Sequence, residues 1–303
     1  MKFEVTILGS SSSTPIFNRN PSAQLLNVNE NFMLIDCGEA TQNQLLHFGL
    51  KANRIDQIFI SHLHGDHYLG LVGLLSSLHL NGRTKPMDIF GPADLLKIID
   101  LQFKLSQTAL KYPINFKATN SEKPEMIFES WDVHVETFPL DHRIPCTGFK
   151  FTEKQRLRKI NKDKIEELSI PTEMLPLIKK GQNYTDKNGI VHSAEQLTTE
   201  PDKPKVYVYC SDTVCSWRYI DHITNADLLY HEATFMNSMI NRAEETFHTT
   251  ALQAGEIALK ANVKKLLIGH FSARYRDLEP LLEESRSIFP ETLLAIEGKT
   301  FII

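Results

Sequence analysis

Short apolar runs recur along the whole chain, and most of them end at a turn signal or at a polar side chain. Runs of this length bounded by Gly, Pro, Asn or Asp predict buried β-strands. The predicted strands cover residues 3–8, 23–28, 32–35, 58–60, 88–90, 133–138, 148–152, 206–210, 228–230, 265–268 and 300–303, with two more near Ile114 and Ile127. Apolar residues at helical spacing predict helices over 40–48, 93–110 and 277–287. The alternation of the two patterns predicts an α/β fold.

A further helix is predicted directly after the histidine-rich stretch 61–67. Its apolar residues recur at helical spacing, so we expect them to form its buried side. They are Leu69, Val72, Leu75, Leu78 and Leu80.

The stretch Ser61-His62-Leu63-His64-Gly65-Asp66-His67 has the pattern of a metal site at the end of a buried strand. Side chains two apart on an extended segment project to the same side, so His62 and His64 can bind one ion. Asp66 and His67 follow one turn later and can face a second ion. A lone histidine is more often an ordinary core or surface residue, but three histidines and an aspartate within six positions argue against that interpretation.

Ligand-type residues also follow other predicted strands, as Asp141-His142, Ser211-Asp212 and Gly269-His270. An α/β sandwich would gather such residues along one edge. We therefore predict two ligand sets with Asp212 able to bridge them: His62, His64 and His142 in the first, and Asp66, His67 and His270 in the second.

This ligand chemistry indicates a hydrolase. Two divalent ions about 3.5–4 Å apart can deprotonate a water between them and stabilise charge on a phosphoryl group during in-line displacement. Nitrogen and oxygen donors suit zinc, with manganese possible, and the absence of cysteine ligands disfavours a closed structural site. Seven ligands exceed what one tetrahedral zinc accepts, so the sequence predicts two zinc ions per chain.

Composition places the 303-residue chain among ordinary soluble globular proteins, with 42% hydrophobic residues and 23% charged residues. Its length allows one large core or two packed halves. No apolar stretch approaches the roughly 20 residues of a membrane span. The first residues have a strand pattern rather than a signal-peptide pattern, so we expect a cytoplasmic protein. Four scattered cysteines without a CxxC motif are expected to be reduced thiols.

The formal net charge of -4 argues against a uniformly basic nucleic-acid binder. One segment differs from the rest, because residues 153–182 contain eight Lys or Arg and five Asp or Glu, a local charge of +3. The segment is either a solvated charged excursion or a basic arm, and composition alone slightly favours the excursion.

The motif at 62–67 resembles the signature of metallo-β-lactamase-fold hydrolases. Together with Asp36-Cys37-Gly38, Ser211-Asp212-Thr213, the segment 231–235 (HEATF) and the segment 270–275 (HFSARY), it is similar to the short form of the ribonuclease Z family, which comprises tRNA 3′-processing endonucleases. The resemblance implies a four-layer αββα sandwich, with residues 1–303 as one domain and an inserted tRNA-binding arm at about 153–203. It also implies a homodimer that cleaves precursor tRNA after the discriminator nucleotide and leaves a 3′-hydroxyl on the tRNA.

The same resemblance implies individual roles. Asp66 would orient the attacking water and accept its proton while it ligates the second zinc. His248, held by Glu232, would donate a proton to the leaving 3′ oxygen. The remaining histidines match no ligand position and are expected to be structural: His47, His79, His134, His192, His222 and His231.

Two segments depart from the family pattern. Phe17 stands where the loop after the first strand often has a lysine, and residues 170–174 lack the Gly-Pro-rich element usual in the arm. One alternative is a related phosphodiesterase or sulfatase acting on a small ester, which would share every metal ligand and lack an RNA arm. The other is a non-catalytic RNA-binding relative, which would be expected to have lost ligands, and none is lost here.

Overall fold

The computed structural model describes residues 2–14, 16 and 18–303, so Phe17 lies outside the described residues. The chain divides into two compact units. The larger unit combines Met1–Thr152 with Lys205–Ile303, and the smaller unit is Glu153–Pro204.

The first sheet of the larger unit is built mainly from the N-terminal half of the chain. Its strands are β1 (Phe3–Gly9), β2 (Ala23–Val28), β3 (Asn31–Ile35), β4 (Ile55–Phe59), β5 (Met87–Gly91), β6 (Ile114–Ala118) and β18 (Thr300–Ile302). They pair in the order β18-β1-β2-β3-β4-β5-β6. From β3 to β6 the strands are parallel, so their carboxyl ends lie at one edge of the sheet.

The second sheet is built mainly from the C-terminal half. Its strands are β7 (Glu125–Glu129), β8 (Val133–Leu140), β9 (Cys146–Glu153), β14 (Val206–Cys210), β15 (Leu228–Glu232), β16 (Leu266–Gly269) and β17 (Thr292–Leu294). They pair in the order β17-β16-β15-β14-β9-β8-β7, and β14 to β17 are parallel.

Helices cover the outer face of each sheet, and aromatic rings fill the space between the sheets. The helices of this unit are α1 (Thr41–His47), α2 (Gly65–Tyr68), α3 (Leu71–Leu80), α4 (Asp94–Leu105), α8 (Ile220–Ile223), α9 (Ile240–Thr246), α10 (Ala251–Lys260) and α11 (Glu279–Arg286). The core between the sheets includes Phe59, Phe149 and Tyr207. Side chains of α1, α3 and α4 pack on the first sheet, and those of α8, α10 and α11 pack on the second. The result is the predicted αββα sandwich.

Two details of the helix predictions are wrong. Leu69 and Leu80 are 54% and 78% exposed, because Leu69 caps the short helix α2 and the buried face is set by the separate helix α3. That face consists of Leu71, Leu74, Leu75 and Leu78, at i, i+3, i+4 and i+7. Helix α4 ends at Leu105 rather than near 110, since Gln107 adopts a left-handed conformation with a φ of 51°.

The smaller unit has its own elements and its own small core. Its helices are α5 (Lys162–Glu167), α6 (Leu175–Lys179) and α7 (Ala194–Leu197), and two short strand pairs join β10 (Lys159–Ile160) to β13 (Thr198–Thr199) and β11 (Tyr184–Thr185) to β12 (Val191–His192). Its core comprises Ile170, Ile178, Tyr184 and Leu197. The complete unit contains ten Lys or Arg and nine Asp or Glu, so acidic residues after 182 offset most of the local positive charge.

Candidate metal centre

The predicted ligands come together at the carboxyl ends of the strands. The loop after β4 carries His62 and His64, and α2 follows with Asp66 and His67. The other ligands directly follow β8, β14 and β16: His142, Asp212 and His270. The predicted ligand atoms form two neighbouring groups, and His248 also lies close to Asp212 and His270.

The first group surrounds Nδ1 of His64. Nε2 of His62 and Nε2 of His142 each lie 3.1 Å from that atom. Oδ2 of Asp212 lies 3.6 Å from His62 Nε2 and 3.9 Å from His142 Nε2. Ligand atoms around a tetrahedral zinc are about 3.3 Å apart, given metal–nitrogen bonds of about 2.0–2.1 Å. The four atoms therefore have the spacing that one ion requires.

The second group uses the other oxygen of Asp212. Oδ1 of this carboxylate lies 3.4 Å from His67 Nε2 and 3.3 Å from His270 Nε2. Oδ2 of Asp66 lies 3.5 Å from His67 Nε2 and 3.2 Å from His270 Nε2. Asp212 thus faces both groups, one oxygen to each, which is the bridging position predicted for it.

The chemistry of these donors fits bound cations. His67 Nε2 and Asp212 Oδ1 are buried and make no hydrogen bond to any described residue, although buried polar atoms are normally paired. A cation in the second group would satisfy both atoms. Burial holds the pKa of His62 well below its usual range, so this imidazole is neutral, the form that a metal ligand requires.

Asp36 orients the His67 ring through a hydrogen bond to Nδ1, the nitrogen that does not face the second group. It is completely buried at the end of β3, and its Oδ2 accepts hydrogen bonds from His67 Nδ1 and from the Tyr209 hydroxyl, both at 2.7 Å. Its Oδ1 accepts from the backbone N–H of Ser61 at 2.8 Å. Because Nδ1 of His67 is bonded to Asp36, Nε2 is the nitrogen that faces the second group and that a cation would use.

Two other ligands are oriented in the same way. His142 Nδ1 donates to the backbone carbonyl of Phe247 at 3.0 Å. His270 Nδ1 donates to the Thr234 hydroxyl at 2.9 Å, and that hydroxyl donates to Glu232 Oε2 at 2.7 Å. Each bond leaves Nε2 of the histidine available for a metal. Sequence reasoning assigned no role to Asp36, Thr234 or Phe247; for Asp36, its position directly after a buried strand was a usable signal.

His248 and Glu232 form a pair beside the ligands. Glu232 is fully buried and accepts from His248 Nδ1 at 2.8 Å and from the Thr213 N–H at 3.1 Å. Burial acts to lower the pKa of His248, but the adjacent carboxylate of Glu232 outweighs it and raises that pKa to about 9. The imidazole is therefore protonated at neutral pH, with its Nδ1 proton held by Glu232.

A cavity of about 330 Å³ opens over the two groups, and its walls are Ser13, His64, Gly65, Asp66, His142, Arg143, Asp212, Thr246, His248 and His270. Ser13 belongs to the polar loop after β1. None of the six remaining histidines belongs to a ligand group of the described chain. His231, for example, is buried and bonded to the Tyr219 hydroxyl at 2.9 Å, a structural role.

Comparisons with known proteins cover the whole chain. Ribonuclease Z of Phocaeicola vulgatus is 46% identical over 98% of this chain and 96% of the relative, and ribonuclease Z of Cytophaga hutchinsonii is 47% identical over 100% and 97%. A family model described as Anti-Pycsar protein Apyc1 matches residues 3–210 and ends before Glu232, His248 and His270. The ribonuclease Z relatives span those three residues.

Solved structures agree on the fold. The short form of human tRNase Z aligns with a TM-score of 0.72 and 28% identity over 99% of both chains. The metallo-β-lactamase fold protein YhfI from Bacillus subtilis aligns with a TM-score of 0.69 over 99% of both chains, at 19% identity, which supports the fold alone. No helix in the described part of the chain combines the length and apolar character that a membrane crossing demands.

Proposed function

Because this chain belongs to the ribonuclease Z family, a family of metallo-β-lactamase-fold hydrolases, we propose that it removes the 3′ trailer from precursor tRNA. In this proposal the enzyme depends on two zinc ions and leaves a 3′-hydroxyl on the tRNA. The observation that carries the proposal is the pair of ligand groups joined by Asp212, with His248 and Glu232 beside them. The experiment that tests it is the mapping of the cut in a precursor tRNA.

The first step would be activation of a water over Asp212. The chemistry that two zinc ions supply when bound is a lower pKa for that water and stabilisation of charge on the phosphoryl group. Asp66 lines the cavity and points Oδ2 at His67 and His270. Burial disfavours its charged form, but the neighbouring His67 and His270 hold its pKa below the usual range, so the carboxylate is ionised. In this form it can orient the water and accept its proton.

The second step would be departure of the 3′ oxygen of the tRNA. An alkoxide leaves slowly unless it is protonated, so this oxygen needs an acid. His248 lines the cavity as an imidazolium whose orientation is fixed by Glu232. It is therefore placed to supply the proton, and Glu232 acts by holding it.

Replacing His248 with alanine should lower kcat for precursor-tRNA cleavage by about a hundredfold or more, the usual contribution of a general acid. Hydrolysis of bis(p-nitrophenyl) phosphate should fall much less, because p-nitrophenolate leaves without a proton. Steady-state rates on both substrates measure the difference. His47→Ala, at an exposed position of α1, is the matched control and should resemble the wild type. An equal loss on both substrates in His248→Ala would rule out the acid role.

Metal content gives a second test. Elemental analysis of the loaded protein should show two zinc or manganese ions per chain, because the seven ligands form two groups. A chelator should abolish activity, and added zinc should restore it. A fully active protein that saturates at one ion per chain would contradict the assignment.

The family resemblance extends the proposal to the assembly and its setting. We infer a cytoplasmic homodimer from the resemblance to the ribonuclease Z family. Sedimentation would give twice 34.6 kDa for a dimer, and a stable mass of one chain would contradict it. The small-ester alternative shares all seven ligands, so only a comparison of RNA and small-ester substrates separates the two functions.

A further inference from the structure

One cationic side chain at the metal centre has no role in the mechanism above. Arg143 immediately follows the ligand His142 and lines the catalytic cavity. It is the only Lys or Arg among the described residues that form the cavity wall. Its side chain is exposed and makes no hydrogen bond or ion pair within the described chain.

The backbone that carries Arg143 is held firmly. The five-residue turn between β8 and β9 is fixed at Asp141, whose N–H donates to the Thr213 hydroxyl at 3.1 Å and whose carbonyl accepts from Val214 N–H at 2.9 Å. The Asp141 carboxylate also accepts from Arg218 at 2.8 Å. The backbone at Arg143 is therefore held in place by the turn. Its guanidinium lies at the rim of the cavity without a hydrogen bond or ion pair to any described residue.

The Arg143 guanidinium is placed to attract an anionic substrate to the cavity. Two divalent ions bound by the two ligand groups would lie in the same cavity as Arg143, which adds a further positive charge at its rim. An additional guanidinium beside them is repelled in the free enzyme and attracted by substrate phosphate. A guanidinium also matches phosphate oxygens with two parallel N–H groups.

We propose that Arg143 binds the phosphate next to the scissile one and so selects a polynucleotide over a small phosphodiester. The scissile phosphate would lie over the ions at the floor of the cavity, and Arg143 stands at its rim, where the neighbouring phosphate of the strand must pass. Bis(p-nitrophenyl) phosphate has a single phosphate and cannot use this contact. The inference rests on the proposed function, because it names a contact for the same RNA substrate.

The test compares the ratio of kcat/KM for precursor tRNA to kcat/KM for bis(p-nitrophenyl) phosphate. Arg143→Ala should lower this ratio about tenfold or more, mainly through KM for the RNA. It should also reduce the salt dependence of RNA affinity by about 0.7 in the log–log slope, the value for one single-strand phosphate contact. Arg54→Ala is the matched control, since Arg54 is an exposed arginine that precedes the amino end of β4, away from the cavity, and its variant should keep the wild-type ratio.

A chemical substitution in the RNA identifies the contact directly. A neutral methylphosphonate at one of the two linkages flanking the cut should slow RNA cleavage by the wild type about as much as the Arg143→Ala substitution slows cleavage of unmodified RNA. The same methylphosphonate should not slow cleavage by the Arg143→Ala variant further. An unchanged ratio, or an additive loss at both linkages, would overturn the proposal.

A competition experiment separates this inference from the proposed function. A short oligoribonucleotide should inhibit bis(p-nitrophenyl) phosphate hydrolysis by the wild type, and its Ki should rise about tenfold in Arg143→Ala. This result supports the contact even if the enzyme does not cut precursor tRNA. Failure to cut precursor tRNA would overturn the proposed function but not the role of Arg143. An equal Ki for both proteins would overturn the role of Arg143.

Discussion

Replacing Asp66 with alanine is expected to lower the rate of precursor-tRNA cleavage by about a thousandfold or more. In the proposed mechanism this carboxylate ligates the second ion, orients the water and accepts a proton. One substitution therefore removes three contributions. The fold should persist, because Asp66 lies at the cavity wall and, within the described part of the chain, its carboxylate contacts the ligand side chains of His67 and His270.

The controls for Asp66 separate chemistry from stability. Asp88→Ala changes an aspartate on β5 that lies outside the cavity, and it should keep near wild-type turnover. Asp66→Asn keeps the size of the side chain and should be nearly as inactive as the alanine variant, because an amide is a poor proton acceptor. Circular dichroism checks folding and elemental analysis checks metal content. Turnover like that of the wild type in a folded Asp66→Ala protein would exclude the role.

Replacing the smaller unit, Glu153–Pro204, with a short Gly-Ser linker is expected to weaken precursor-tRNA binding by well over tenfold, or about 1.4 kcal/mol. The whole unit must be removed, because β10 pairs with β13 near residue 199 and the core joins Ile178 to Leu197. Removal of 153–182 alone would leave β13 without its paired strand and would expose Leu197. Hydrolysis of bis(p-nitrophenyl) phosphate would depend only on the proposed metal centre and should persist in the linker variant.

Charge inside the unit allows a sharper version of this test. Lys162, Lys179 and Lys180 are exposed and have no ion-pair partner among the described residues. Their combined replacement with glutamine should reduce the log–log salt slope by about 0.7–0.9 for each lysine that binds a phosphate. The control replaces Lys159 and Lys164, which pair with Asp202 and Glu167. Unchanged binding with an unchanged slope would exclude phosphate contacts by these three lysines and favour a small-ester substrate.

The sequence predicts most of the fold and the seven side chains that meet at the candidate metal centre, because both depend on local patterns. Strand periodicity is visible within a few residues, and the candidate ligands lie in the segments that follow β4, β8, β14 and β16. Contacts between distant residues leave no such pattern. The hydrogen bond from Tyr209 to Asp36 joins residues 173 positions apart, and the one from His270 to Thr234 spans 36 positions. The hydrogen bonds that orient the ligands are therefore visible only in the folded chain.

The charge of the smaller unit shows a different limit. A window chosen by composition stops at residue 182 and is distinctly basic, whereas the folded unit continues to Pro204 and is nearly neutral. The unit extends because β13 and Leu197 complete its sheet and core. Local composition identifies the segment, but tertiary pairing sets its boundary and hence its net charge.

Mapping the cut in a precursor tRNA tests the central claim most directly. Purified protein with zinc should cleave a precursor that carries a 3′ trailer at one position, directly after the discriminator nucleotide, and the tRNA product should end in a 3′-hydroxyl. Asp66→Ala should give no cut under the same conditions. An intact precursor, from a wild-type protein that binds two zinc ions and hydrolyses bis(p-nitrophenyl) phosphate, would contradict the claim.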